Sequence, residues 1–430
     1  MNINTSPKRR AKDGHQFFYG WYVVGASAGV VFSSGPGQSY VFSIFIDSII
    51  SDTGLSRSGI SALYMLSTGV SAALVWIVSR MVDRVGPRMM LIAIGFAFAA
   101  ACFGMAIATN ILLLYVAFAS LRALGQGSLN INAVLLVNQW FVAYRGRAIA
   151  LMGLGAVLST AIFPPLARAL IDNLGWREAY AVLGIIVMAL IVPVSLLVVR
   201  NRPEDMSLLP DGRGHPYLDT ARQAHAVSQE VSSGLQTPVF RSLNFWLLAF
   251  PMASPGLVST ALVFHQTSIF EEAGLTATLA AGVFVVFSVS AAFTSVIGGF
   301  VVERTSPKLL YGFSMLMLLI SLLLAVVINS AFVAIVYVVI MGVANGSQQI
   351  VQGVIWAHYY GRHGLGRIQG SAMMIGICGS AIGPFPLALL HDETGSYSVG
   401  LLVLISLPVL SLISIFFAHP TPSSIISRNQ

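Results

Sequence analysis

Long apolar runs are the feature of this sequence that most constrains its fold. A helix needs about 20 consecutive apolar residues to cross the hydrocarbon core of a bilayer. Charged residues make up only 9% of the chain, against about 25% in soluble proteins. The sequence therefore predicts an all-α integral membrane protein with twelve transmembrane helices, near residues 20–46, 58–82, 88–108, 111–137, 147–170, 176–199, 243–270, 277–302, 308–328, 331–357, 367–390 and 397–418.

Polar segments divide these helices into two sets of six, because the one long polar stretch lies between the sixth and the seventh. We expect two pseudo-symmetric six-helix bundles joined by a cytoplasmic loop. The predicted parts are, in order, a cytoplasmic N-terminal tail at 1–19, a bundle at 20–199, the central loop at 200–242, a bundle at 243–418 and a cytoplasmic C-terminal tail at 419–430.

The distribution of positive charge predicts the orientation. If the N-terminus is cytoplasmic and the helices alternate, 19 of the 23 Lys and Arg face the cytoplasm, three face outside, and Arg122 alone is left within the membrane. This bias follows the positive-inside rule. We therefore expect a multi-pass protein of the cell membrane, in the bacterial inner membrane, with both termini cytoplasmic. The net charge of +7 reflects topology, so the lipid bilayer is an expected partner and nucleic acid is not.

An internal repeat at an offset of 220 residues links the two halves of the sequence. The segment "SRMVDRVGPR" at 79–88 aligns with "GFVVERTSPK" at 299–308, and the same offset aligns Pro164 with Pro384. Two homologous sets of six helices, related by an axis along the membrane normal, are typical of transporters.

These features resemble the major facilitator superfamily over almost the whole chain. "SRMVDRVGPR" is similar to the family's loop pattern Gly-x-x-x-Asp-Arg-x-Gly-Arg-Arg, and "RALGQG" at 122–127 resembles its helix 4 pattern. "NQWFVAYRGRAIALMGLGAV" and "HYYGRHGLGRIQGSAMMIGICGSAIGP" look most like the branch of monocarboxylate transporters and oxalate–formate exchangers. The resemblance implies transport by alternating access, with helices 1, 4, 7 and 10 lining a central cavity.

The resemblance also implies a set of cytoplasmic charge latches, which pair with helix ends in one state and release in the other. A role in topological anchoring alone is the alternative, but an acid–Arg pair recurs at both copies of the repeat. The latch residues are Asp83, Arg84, Arg88, Glu303 and Arg304.

One departure from the branch concerns its anion-binding cations. Members of the branch carry an Arg in helix 8, where this chain has Ser290, Thr294 and Ser295, and the oxalate exchangers add a Lys in helix 11, where this chain has none at depth. The familiar carboxylate clamp is therefore missing, which weakens the transfer of lactate- or oxalate-like substrates.

Arg122 is the first candidate for the cavity, because intramembrane charges mark functional sites. Gln126 and Asn130 follow at i+4 and i+8 and are predicted to share its face. Arg122 either orients an anionic or carbonyl-bearing solute or braces backbone carbonyls of helices 1 and 5. The residues leave both roles open.

Neutral polar and aromatic side chains complete the predicted site. Helix 10 carries a stripe of amides, which select polar uncharged groups, with interhelical hydrogen bonding as the alternative. Helix 1 is predicted to kink at Gly35-Pro36-Gly37, either to free backbone carbonyls at the cavity or as a packing kink. His265, near the outer end of helix 7, is a candidate carrier of a coupling proton, with a hydrogen-bonded structural role as the alternative. The full predicted cavity lining is Arg122, Gln126, Asn130, Ser34, Gln38, Tyr40, Asn345, Gln349, Gln352, Trp356 and His265.

The sequence thus predicts a secondary transporter of a small organic solute, of carboxylate type on the resemblance. A larger neutral aromatic nutrient, such as a flavin vitamin, is the alternative, and a non-transporting membrane receptor or sensor is the alternative of another class. No P-loop, dinucleotide fingerprint or zinc spacing is present, so we expect no enzyme, catalytic residue, metal or cofactor. A coupled proton or counter-solute is a possible partner, and a monomer is expected.

Overall fold

The computed structural model describes residues 18–141, 144–212, 242–302, 304–360 and 365–418, and their regular structure is helical throughout. The N-terminal half (18–212) contains α1 (Gly20–Phe32), a 3₁₀ turn (Gly35–Gly37), α2 (Ser39–Thr53), α3 (Arg57–Val85), α4 (Pro87–Ala106), α5 (Ile111–Leu121), a π-helical segment (Arg122–Ser128), α6 (Leu129–Trp140), α7 (Arg145–Leu174), α8 (Trp176–Leu197) and two 3₁₀ turns (Pro203–Met206, Pro210–Gly212). The C-terminal half (242–418) contains α9 (Leu243–Glu272), α10 (Ala277–Val302), α11 (Pro307–Val326), α12 (Ala331–Tyr360), α13 (Leu365–Ile382), α14 (Pro384–Thr394) and α15 (Tyr397–Phe417).

Ten helices within the described ranges are long and apolar enough to cross a membrane, with α5 to α6 and α13 to α14 each running as one span. Two of the twelve helices predicted from the sequence, at 20–46 and 58–82, are not among these ten. The first is broken into α1, only 13 residues long, and α2. The second corresponds to α3, which is longer than predicted and ends in the polar sequence "RMVDRV".

The break between α1 and α2 occurs at the predicted Gly35-Pro36-Gly37 kink, and the π-helical segment packs directly against it. A Cβ atom on Gly37 would lie 2.3 Å from the carbonyl oxygen of Leu121 and 3.0 Å from the Cα of Gly125. No real side chain fits at such distances, so glycine at position 37 is what allows the two irregular segments to touch.

The 220-residue repeat in the sequence is matched by repeated contacts in the structure. Arg88 donates to the carbonyl of Leu196 at the end of α8 (2.6 Å), and Lys308 donates to the carbonyl of Phe416 at the end of α15 (2.9 Å). Arg88 and Lys308 are separated by 220 residues, and so are their partners Leu196 and Phe416. These basic side chains stabilise the exposed carbonyls of a helix C-terminus.

A second pair of repeated contacts lies at the opposite ends of the helices. Asp52 pairs with Arg177 at the start of α8 (2.6 Å), and Glu272 accepts from the backbone N–H of Tyr397 at the start of α15 (3.1 Å). Gly175 and Gly395, which precede these helices, both have positive φ, at 94° and 73°. The two halves therefore have the same arrangement of contacts at these helix ends.

A polar cluster joins the two halves at their outer end, which we define as the end that the charge distribution predicts to face away from the cytoplasm. Arg57 pairs with Asp47 at 2.7 Å, and the hydroxyl of Ser268 donates to Asp47 at 2.9 Å. Nearby, the backbone N–H of Ser58 donates to Asp392 at 2.9 Å. These bonds hold the outer end closed.

Candidate functional site

A cavity of about 180 Å³ lies between the two halves, since both contribute its walls. Its lining combines hydroxyl groups, one amide and aromatic rings, and none of the lining residues in the described structure is charged. Those residues come from α2, α7, α9, α10 and α12 and are Ser39, Tyr40, Thr160, Ser259, Thr260, Val263, Phe284, Phe287 and Asn345.

Hydroxyl groups on the two sides of the cavity make similar hydrogen bonds to neighbouring helices. Tyr40 of α2 donates to the hydroxyl of Ser159 on α7 at 2.9 Å, and the hydroxyls of Thr260 on α9 and Ser380 on α13 lie 2.9 Å apart. Tyr40 and Thr260 are equivalent positions of the 220-residue repeat. Each half thus fixes one cavity residue by pairing it with a neighbouring helix of the same half.

Arg122 lies behind the cavity wall, fully buried, and does not line the cavity. Its guanidinium donates to the backbone carbonyl of Gly37 (3.1 Å) and to the hydroxyl of Tyr64 (3.0 Å), and it lies 4.5 Å from the centre of the Tyr64 ring. The Tyr64 hydroxyl is in turn 2.9 Å from that of Ser39. Arg122 therefore braces the break in the first predicted helix, and in the described structure Tyr64 and Ser39 link it to the cavity.

No carboxylate of the described residues pairs with Arg122, and its Nε has no hydrogen-bond partner there. A buried charge of this kind is costly. Two hydrogen bonds and a cation–π contact offset part of that cost.

Gln126 and Asn130, which were predicted to share the face of Arg122, are half-buried and do not line the cavity. The side chain of Asn130 donates to the backbone carbonyl of Gln126 at 2.8 Å. A π-helical turn holds more residues than an α-helical turn, so the spacing of four residues from Arg122 does not return to the same face across this segment.

Ser34 and Gln38 flank the break and satisfy its polar groups. The Ser34 hydroxyl donates to the carbonyl of Val31 at 2.7 Å, and the Gln38 amide donates to Ser34 at 3.2 Å. Neither lines the cavity, whereas Tyr40 does.

The amide stripe on α12 divides between two environments. Asn345 lines the cavity, and exposed Gln349 donates to its Oδ1 at 3.0 Å. Gln348 is buried and accepts from Ser314 on α11 at 3.1 Å. Exposed Gln352 lies one turn beyond Gln349 on the same helix. Trp356 is 2% exposed and belongs to a separate apolar cluster, away from the cavity lining.

His265 lies beside the outer polar cluster, because its partner Tyr397 has Arg57 5.8 Å from its ring centre, and it does not line the cavity. It is fully buried. Its Nε2 lies 3.0 Å from the carbonyl oxygen of Pro384, so Nε2 carries the hydrogen, and its Nδ1 accepts from the hydroxyl of Tyr397 at 3.0 Å. Both ring nitrogens are therefore engaged in the closed outer end.

The predicted latch residues are described only in part. The side chain of Asp83 and the whole of Glu303 lie outside the described residues, while Arg84 and Arg304 are exposed. Arg88 donates to carbonyls at the end of α8, as above, within its own half.

Several residues that line the cavity were not predicted from the sequence, namely Ser39, Thr160, Ser259, Thr260, Val263, Phe284 and Phe287. A signal was present, since "SY" at 39–40 and "ST" at 259–260 are equivalent in the repeat.

On α10, the face with Ser290 and Thr294 packs against Gly342 and Gly346 of α12. The positions where the branch carries charge are therefore used here for close helix packing.

Comparisons with known proteins agree with this architecture. The family model for the Major Facilitator Superfamily matches residues 27–284 and again 252–429, which confirms the resemblance seen in the sequence. The bacterial homolog of the human lysosomal transporter Spinster, in an inward-facing and unoccupied conformation, superposes with a TM-score of 0.69 at 15% identity, covering 94% of this chain and 95% of that one. A D-xylose-proton symporter superposes equally well, with a TM-score of 0.69 at 14% identity, covering 95% and 99%.

Curated relatives match only part of the sequence. Riboflavin transporter RibJ of Trypanosoma brucei brucei is 25% identical over 43% of this chain and 34% of its own length. The probable L-galactonate transporter of Escherichia coli is 26% identical over 45% and 42%, and mouse Monocarboxylate transporter 6 is 32% identical over 20% and 18%. The matched region thus spans less than half of the length of these relatives.

Proposed function

This chain belongs to the major facilitator superfamily, and from that premise we propose that it is a secondary transporter, not an enzyme, which moves a small organic solute by alternating access. The cavity between the halves is the proposed solute site. The repeated helix-end contacts support two pseudo-symmetric bundles of six spans each, with α1 to α2 and α3 as the two spans beyond the ten long apolar helices.

We further propose a neutral aromatic solute. The observation that carries this proposal is the cavity lining, where hydroxyl, amide and aromatic groups occur without a charged side chain among the described lining residues. An aromatic ring can stack on Phe284, Phe287 or Tyr40, and uncharged polar groups bind without the cost of desolvating an ion. The similarity to riboflavin transporters makes a flavin vitamin the first solute to test.

The size of the cavity limits what this closed state holds. A cavity of about 150 Å³ accommodates benzene, so 180 Å³ corresponds to about one ring. The three fused rings of a flavin require the halves to separate further, as they do when a transporter of this fold opens.

A carboxylate is the second candidate, and a specific observation favours it. Arg122 carries a buried positive charge that no described carboxylate neutralises, and its field can favour an anion in the adjacent cavity. Relatives named as transporters of L-galactonate, sulfoacetate and monocarboxylates support the same class.

The outer polar cluster is proposed to act as a gate. Its bonds between Arg57, Ser268, Ser58 and the two aspartates close the outer end, so they must break for solute to enter or leave on that side. His265 adjoins this gate, and a proton that binds at its Nδ1 would compete with the bond from the Tyr397 hydroxyl, while the Nε2–H bond to the Pro384 carbonyl would remain. Proton coupling through the gate is therefore our proposal for His265.

The remaining predictions from the sequence stand as proposals of the same model. They comprise the five domain boundaries, cytoplasmic termini, a bacterial inner membrane, a monomer, and cytoplasmic latches formed by Asp83, Arg84, Arg88, Glu303 and Arg304. A receptor that binds solute without moving it is the competing class.

Uptake into liposomes tests the proposed function. Purified full-length protein is reconstituted, and labelled riboflavin, L-galactonate and sulfoacetate are supplied with and without an imposed pH gradient. We expect riboflavin uptake, reduced about 2- to 12-fold by Asn345→Ala, the range for one neutral hydrogen bond. Asn173→Ala, which changes an exposed amide that bonds only within α7, is the control.

Three outcomes would contradict parts of this model. Solute binding without flux in either direction would favour a receptor. Uptake of the two anions but not of riboflavin would favour the carboxylate. Uptake that does not respond to the pH gradient would exclude proton coupling at His265.

A further inference from the structure

The hydrogen bonds around Arg122 have a fixed direction. A guanidinium donates and cannot accept, so the Tyr64 hydroxyl oxygen accepts from Arg122. Tyr64 is fully buried, and the Ser39 hydroxyl, at 2.9 Å, is the one acceptor within reach of its hydrogen in the described structure. Tyr64 therefore donates to Ser39, since the opposite direction would leave a buried hydrogen unpaired.

This direction determines what Ser39 presents to the cavity. Its oxygen is occupied by the hydrogen of Tyr64, and its own hydrogen has no partner among the described residues. Ser39 lines the cavity, so its hydroxyl is available there as a donor. The Ser39 oxygen keeps a second lone pair, but the bond from Arg122 prevents its hydrogen from pairing with Tyr64, so Arg122 directs that hydrogen to the cavity.

The opposite wall has the same polarity. Gln349 donates to the Oδ1 of Asn345, which leaves the amide hydrogens of Asn345 free at the cavity. Donors from α2 and α12 thus face a space bounded by Phe284 and Phe287.

We propose that the cavity contains a donor-lined site, formed by Ser39 and Asn345, that binds a planar solute with hydrogen-bond acceptors on its edge, and that Arg122 is a positioning residue that directs the Ser39 donor to this solute through Tyr64. The acceptor is a carbonyl-type oxygen, which either a neutral ring ketone or a carboxylate supplies. Solutes without such an acceptor lose the bonds from Ser39 and Asn345 and bind more weakly. The proposal rests on the cavity's being the solute site of the proposed transporter.

Binding of three single-ring probes tests the selection, because one ring matches the cavity. Methyl benzoate presents a neutral acceptor, benzoate a charged acceptor and benzylamine a charged donor. Dissociation constants are measured on the purified full-length protein in detergent. We expect at least one of the two acceptor probes to bind at least tenfold more tightly than benzylamine.

Ser39→Ala removes the donor and leaves the Arg122–Tyr64 bond in place. We expect the affinity to fall about 2- to 12-fold if the preferred probe is methyl benzoate, and about 12- to 150-fold if it is benzoate, because bonds to charged acceptors are stronger. The size of the loss therefore distinguishes the neutral acceptor from the anion. Ser43→Ala, which removes a buried hydroxyl bonded to its own helix, is the matched control and should bind as the unmodified protein does.

Tyr64→Phe tests the role of Arg122, because it removes the link and keeps the ring. Ser39 can then turn either way, so the ratio of the acceptor and donor affinities should fall at least threefold, which a loss of stability alone would not produce. Arg122→Lys, which also can only donate, should keep the ratio. If Tyr64→Phe does not give a monodisperse protein, Ser39→Ala still decides the question.

Several results would overturn the inference: equal binding of benzylamine and both acceptor probes, no binding of either acceptor probe, or an unchanged affinity in Ser39→Ala. Failure of the proposed function is a separate result. Absence of flux in liposomes, with the selection among probes intact, would refute transport and leave the donor-lined site in place.

Discussion

A buried guanidinium without a carboxylate partner organises the residues around the cavity. Arg122 bonds the carbonyl that the broken helix exposes at Gly37, and it orders Tyr64 beside Ser39. A neutral side chain could satisfy that carbonyl, but it would not force the direction of the next two hydroxyls. At the scale of single residues, the charge therefore supports both the local backbone and the polarity of the cavity wall.

Substitution of Arg122 separates bracing from direct binding. We expect Arg122→Lys to lower the melting temperature in detergent by a few degrees and to leave the solute affinity within about threefold, because lysine still donates. Arg122→Ala should be far less stable, because it leaves the Gly37 carbonyl and Tyr64 unpaired. Arg168→Ala, which removes a half-buried side chain of α7 that pairs with Asp172 on the same helix, is the control. An affinity more than tenfold weaker in Arg122→Lys, at unchanged melting temperature, would instead indicate direct contact with solute.

At the scale of the helical elements, two irregular segments depend on each other. The 3₁₀ turn at Gly35–Gly37 and the π-helical segment at Arg122–Ser128 are both departures from α-helix, and they meet where Gly37 lies against Gly125. Irregular backbone within a membrane is tolerated where protein or a cavity covers it. Here each segment covers the other, and α2 is redirected so that Ser39 and Tyr40 reach the cavity.

Gly37→Ala should disrupt this contact. The new methyl group would lie 2.3 Å from a backbone oxygen, which cannot move without distorting α5. Overpacking of this kind costs about 1–3 kcal/mol, so we expect a melting temperature lower by several degrees together with weaker solute binding. Gly25→Ala on α1, where no atom lies within 4 Å of the added methyl, should have no such effect. Equal melting temperatures for the two variants would contradict the close packing.

At the scale of the whole molecule, two repeated halves are joined by apolar packing, as between Phe42 and Phe264, and at the outer end by a set of polar bonds. The same helix-end contacts occur within each half, so each half has its own internal braces. Bonds between the halves, such as Ser58 to Asp392, are exchangeable without disturbing those braces. This division of contacts suits rigid-body motion of one half against the other.

Arg57→Ala should open the outer end. It removes the partner of Asp47 and the contact with Ser268, so the closed state loses bonds that the open state does not make. Spin labels on the outer ends at Leu55 and Glu393, in a variant whose exposed Cys378 is replaced by serine, should report a longer distance. Arg177→Ala breaks an ion pair with Asp52 within the N-terminal half at the same end and should leave the distance unchanged. A distance that does not change in Arg57→Ala would exclude the outer cluster as a gate.

The sequence by itself determined the class of protein, the approximate helical segments, the internal repeat and the family. Apolar run length and charge asymmetry report on the membrane directly, and the 220-residue repeat is visible as an alignment. Gly35-Pro36-Gly37 predicted the break in the first helix, because proline cannot continue the backbone hydrogen bonds. Of the residues predicted for the cavity, Tyr40 and Asn345 lie in the lining of the cavity between the halves.

Only the tertiary structure decided which face each helix turns to the cavity. In a membrane helix the lipid-facing side is as apolar as the packed interior, so the pattern of hydrophobic residues does not identify the inner face. Trp356 thus packs in an apolar cluster, and Ser290 lies against Gly342. The π-helical segment changed the register after Arg122. The direction of the Arg122–Tyr64–Ser39 bonds depends on three helices that are distant in the chain, and such contacts exist only once the chain has folded.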